Sequence, residues 1–73
     1  MEFSVKVNNK NTQDALNVIL RAVGKKAAYH SIKVEVLEFG MVYNVEAVGM
    51  NVTDEKTLRE YLGALRHHVT VQQ

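Results

Sequence analysis

Cysteine is absent from this 73-residue chain, and so is proline. Without cysteine there is no disulfide staple and no thiolate zinc site, which fits a reducing compartment. Without proline, and with only four glycines, the chain carries no linker and no low-complexity tract, and nothing in it points to disorder. An excess of one charge is missing too: nine basic residues stand against eight acidic ones, a formal net charge of +1. That balance lacks the electrostatic footprint of a strong nucleic-acid binder. No apolar run approaches the length that spans a bilayer, and Met1-Glu2 opens no basic leader. The expectation is a soluble cytoplasmic protein with no membrane contact.

The length implies one domain, residues 1–73. A domain of this size buries only about 60% of the surface its unfolded chain exposes, so its stability is marginal. Small scaffolds add disulfides, a metal or a partner subunit. With the first excluded by composition, self-association is the natural staple.

What the chain does contain is periodicity. "FSVKV" (Phe3 to Val7) alternates as a half-buried strand does, and so do "IKVEV" (Ile32 to Val36) and "YNVEA" (Tyr43 to Ala47). "NNKN" (Asn8 to Asn11) is turn chemistry, and Asn11 or Thr12 can cap a helix over residues 12–23. Ala15, Leu16, Ile19, Leu20, Ala22 and Val23 form its apolar face, with Gly24 as C-terminal cap and Lys25 and Lys26 at the negative end of the dipole. In "TDEKTLREYLGALR", Thr53 caps, Asp54 and Glu55 fill the first turn, and Leu58, Tyr61, Leu62 and Leu65 keep helical spacing. "VTV" (Val69 to Val71) reads as a closing strand. Between the middle strands, a two-residue turn with Gly40 first and Met41 second sets Val36 against Val45 and Val34 against Ala47.

The order β-α-β-β-α-β leaves one obvious α+β solution, the ferredoxin-like sandwich. It is a four-stranded antiparallel sheet with strands one and three in the middle and both helices on one face. Through "VYNVEAVGMNVTDEKTLREYLGALRHHVTVQ" the chain resembles the ACT-like regulatory modules. The resemblance implies small-effector binding between subunits, or pairing of domains without a ligand. Effector-binding members carry a glycine in the turn after the first strand. Here that turn reads "NNKNTQDA", and no ligand residue carries over. In size and style the chain also resembles phage-encoded accessory proteins, some of which inhibit host enzymes.

Four clusters are candidates for chemistry. His67 and His68 are adjacent, so on a helix they point about 100° apart and do not chelate one metal as an i, i+4 pair does. Helix-end chemistry is their expected role, and His30 is expected to face solvent. Lys6, Lys33, Glu35 and Glu46 fall on the open sheet face, where a solvated charge lattice outweighs a paired-carboxylate site. An RNA-binding sheet of this order places aromatics on strands one and three; here those positions are Ser4, Lys6, Asn44 and Glu46, with Phe3 and Tyr43 turned to the helices. Lys10, Lys25 and Lys26 make a small basic patch, the candidate nucleic-acid contact. Finally, Leu37, Phe39, Val42, Val48 and Met50 land on the open face as an apolar cluster, the mark of an interface. The expectation is a non-enzymatic binding or regulatory module, a homodimer acting through protein contacts, with no metal and no cofactor. Nucleic-acid binding is the alternative from another class, and a small-effector site is the third.

Overall fold

The computed structural model describes residues 1–65 and 68–72. The chain runs β1 (Glu2–Val7), α1 (Lys10–Lys26), β2 (Tyr29–Leu37), β3 (Gly40–Val48), α2 (Val52–Gly63) and β4 (Val69–Gln72). The strands form one sheet in the order β2-β3-β1-β4. Every neighbouring pair is antiparallel. This is an α+β arrangement in which β1 and β3 lie inside and β2 and β4 at the edges.

Alternation in β1 turns Phe3, Val5 and Val7 to one face, where all three are buried. Val45 and Ala47 of β3 join them, with Leu16, Ile19 and Val23 of α1 and Leu58 and Leu62 of α2. Both helices therefore lie on the same side of the sheet. This cluster is the core, and each of its residues is at most 5% exposed. Tyr43 packs at its rim, where its hydroxyl lies 3.4 Å from Oε1 of Gln13.

The helices begin earlier than their apolar faces suggest. Asn9, rather than Asn11 or Thr12, caps α1, its side chain accepting the Thr12 N–H at 2.9 Å. Asn51, rather than Thr53, caps α2 by accepting the Asp54 N–H at 2.8 Å. An N-cap accepts from the residue three ahead, so in a run rich in Asn and Thr several positions qualify locally. The position of the preceding strand selects among them. At the other end α1 continues through Gly24, because Lys25 and Lys26 are good helix formers and supply the basic last turn.

The hairpin turn is also displaced. Glu38 and Phe39 occupy it, and Leu37 pairs with Gly40, so Val36 faces Met41, Val34 faces Tyr43 and Ile32 faces Val45. The turn lies two residues before the expected Gly40-Met41 position. This register lets Met41 pair with Val7 of β1 and extends the ladder to the last residue of that strand. Gly40 still needs positive φ (+106°), but as the first residue of β3. A Cβ there would lie 2.5 Å from the Val7 carbonyl oxygen.

The direction of the backbone groups follows from one contact. The Met1 amino group donates to the Ala47 carbonyl, and the Ala47 N–H donates to the Met1 carbonyl, both at 2.8 Å. Directly opposed residues that exchange both bonds recur at every second position. Val45, Tyr43 and Met41 thus point their backbone groups to β1, and Val42, Asn44 and Glu46 point theirs to β2. Within β2, Ser31, Lys33 and Glu35 meet those groups. Ile32, Val34 and Val36 direct their N–H and C=O groups away from β3, to the free edge.

Gly40→Ala is expected to destabilise the fold by about 1–3 kcal/mol, from left-handed backbone strain and the close carbonyl. Gly63→Ala, in the last position of α2 with nothing within 4 Å of the new Cβ, is expected to stabilise by about 0.5–1 kcal/mol. Urea unfolding of the two variants checks both signs. Equal effects would contradict the placement of the turn.

Candidate functional site

β2 reads like a core strand and is not one. Ile32, Val34 and Val36 share the helix side with Val45, Tyr43 and Met41 by register. Yet they are 40%, 49% and 77% exposed. No residue of β2 is buried. The helices contribute their buried residues to a core built on β1 and β3, and they cover the edge strand only in part. Apolar alternation in a sequence identifies a face; it does not show that anything lies on it.

The five residues expected on the open face separate. Leu37 and Val42 are there, half-buried, and Val48 is there and exposed. Phe39 sits in the turn, 78% exposed. Met50 does not belong to the open face: it packs at the rim of the core and lines a small cleft with Ala22, Leu58 and Tyr61. The chain leaves β3 at Gly49, whose φ of +85° ends the strand alternation on which the expectation for Met50 relied. Tyr29, opposite Val48, adds an exposed aromatic ring to the open face. The exposed row of Ile32, Val34 and Val36 was missed at the sequence level because the same pattern would have marked a covered strand.

The rest of the open face is polar. Ser4 Oγ donates to Asn44 Oδ1 at 2.6 Å. Beside that pair is a shallow hollow of about 210 Å³ lined in part by Glu2, Ser31, Lys33 and Glu46. Lys6 faces Val42, while Glu46 faces Glu2 and Ser31, so Lys6 and Glu46 are not cross-strand neighbours. Glu35 faces Val42, which puts it four β3 positions from Glu46, roughly 13 Å along the strand. The two glutamates form no carboxylate pair. Phe3 and Tyr43 turn to the helices as expected, and the stacking positions hold Ser4, Lys6, Asn44 and Glu46.

The basic residues do not form one patch. Lys10 opens α1 and lies 3.4 Å from Asp14, while Lys25 and Lys26 close the helix. At the helical rise the two ends are roughly 22 Å apart. His30 is exposed on β2 near Gly24. The His68 N–H donates to the Leu65 carbonyl at 2.8 Å, and the His68 carbonyl accepts from Lys6 at 2.7 Å, tying the end of the α2 segment to β1. His67 lies outside the described residues. Among the described residues no group of three or more His, Asp or Glu side chains is placed to hold a metal ion, and no helix is long and apolar enough to cross a membrane.

No family model matches the chain, and neither a curated protein nor a solved structure is significantly similar to it.

The split of the basic residues predicts a shallow salt dependence. Retention on immobilised RNA or DNA should weaken with salt no faster than about one or two phosphate contacts allow. Lys10→Gln should change it no more than the loss of any surface cation. A slope equivalent to roughly six contacts would require a continuous basic surface and would contradict this placement.

Proposed function

We propose that the chain is a non-enzymatic, ferredoxin-like module whose work is contact with another protein chain. The observation that carries this reading is the exposed apolar row of β2, Ile32, Val34 and Val36, with Phe39 exposed in the adjoining turn. Val36 keeps most of its surface in water and Ile32 and Val34 keep two-fifths to a half of theirs, and apolar surface clustered in water marks an interaction site. The physical need is the same as the functional one. A domain of this length has little core of its own, and a partner that covers the row adds burial worth about 1.5–3 kcal/mol for each large side chain fully removed from water. Regulatory pairing of the ACT-like kind, or binding to a target protein as an accessory factor does, both use such a surface. The mechanism is complementarity of surface and edge, without bond chemistry.

The test asks whether the row serves the fold or a partner. Val36→Asp and Phe39→Asp are expected to change the unfolding free energy of the dilute monomer by no more than about 0.5 kcal/mol, as substitutions at uncovered positions do. A loss above about 2 kcal/mol at high dilution would mean that these residues serve the core. The reading would then lose its surface.

A further inference from the structure

The free edge of β2 is self-complementary in one register. We propose that two copies of the chain pair through it, antiparallel, about a two-fold axis at Val34, to give one sheet continuous across both molecules. The proposal rests on the protein-contact reading above and names its first partner as a second copy.

The argument begins with the backbone. Ile32, Val34 and Val36 point their N–H and C=O groups outward, so the edge is a row of unused donors and acceptors that can template another strand. Sheets protect such edges with proline, bulges, inward-pointing charge or charged side chains along the edge, lysine above all. β2 has no proline; its charges, Lys33 and Glu35, lie on the open face, and they oppose a second strand only where like meets like. Antiparallel pairing matches the outward groups only when even positions meet even positions. Four two-fold centres along the middle of the strand satisfy that condition: Ile32, Lys33, Val34 and Glu35.

Charge then selects among them. A centre at Lys33 sets lysine against lysine, and a centre at Glu35 sets glutamate against glutamate. A centre at Ile32 sets Lys33 against Ser31. With the axis at Val34, Lys33 of each copy faces Glu35 of the other. These fall at the closely spaced, non-hydrogen-bonded positions where cross-strand side chains interact best. The ion pairs among the described residues are Lys10–Asp14 and Arg59–Glu55, and neither Lys33 nor Glu35 takes part in one there.

Packing agrees with charge. On the helix side the same register sets Val34 against Val34 and Ile32 against Val36 of the second copy. The exposed β-branched row thereby becomes a run of cross-strand apolar pairs. The same register brings the end of β2 that carries the exposed Tyr29 level with the turn that carries the exposed Phe39. One register thus accounts for the outward backbone groups, the exposed apolar row and the charges of Lys33 and Glu35 together.

Sedimentation equilibrium of the full chain, from micromolar to several hundred micromolar, tests this with charge exchange. The wild type is expected to dimerise. Lys33→Glu and Glu35→Lys should each raise the dimer dissociation constant roughly tenfold or more, because each replaces two opposite pairs with two like ones. The double variant K33E/E35K restores both pairs and should dimerise as the wild type does. An equimolar mixture of the two single variants should form a heterodimer that neither forms alone. A wild type that stays monomeric overturns the inference and leaves the surface to a different chain, with the protein-contact reading intact. A wild-type dimer indifferent to all three changes also overturns it, placing self-contact elsewhere on the molecule.

Discussion

Met1 and Ala47 exchange both of their backbone hydrogen bonds, and the directions of the remaining backbone groups in the sheet follow from that exchange. It aligns β1 with β3 so that Phe3, Val5 and Val7 share a face with Val45 and Ala47, the sheet's share of the core. It also commits alternate residues of β3 to β2, and that leaves the opposite set in β2 facing outward. Core and edge are thus two consequences of one register. A change in the β1–β3 alignment by a single residue would set the apolar face of one strand beside the polar face of the other.

The arrangement concentrates burial in the middle of the sheet. The helices place Leu16, Ile19, Val23, Leu58 and Leu62 over β1 and β3, and β2 receives no comparable cover. That flank is apolar, β-branched and bonded on one side only. Those are the properties of an edge that can accept a further strand.

Much of this was legible in the sequence because strand alternation has a period of two. The hairpin turn was placed two residues too late. Moving it back changes every pairing partner but leaves each side chain on its face, so Val34 and Val36 stayed on the helix side and Val42 and Val48 on the open side. Helix ends were less legible, because Asn9, Asn11 and Thr12 all suit a cap and local chemistry does not choose among them. Met50 departs from the face its spacing implies because the backbone turns at Gly49. The basic patch failed for a similar reason: Lys10 and Lys25 are brought together only by ignoring the length of the helix between them. The most consequential gap was β2, whose pattern is identical in kind to that of β3 while its surroundings are not. A one-dimensional pattern records which side a residue faces and carries no information about what covers that side.

Amide hydrogen exchange along β2, followed residue by residue at low and high protein concentration, tests most directly whether the free edge is the working surface. In dilute solution the amides of Lys33 and Glu35, bonded to β3, should be protected, while those of Ile32, Val34 and Val36 exchange rapidly. Concentration should then slow Ile32, Val34 and Val36 selectively, as their N–H groups find acceptors on a second copy. Rapid exchange at these three amides at every concentration would contradict the account, and so would protection that appears on another strand instead.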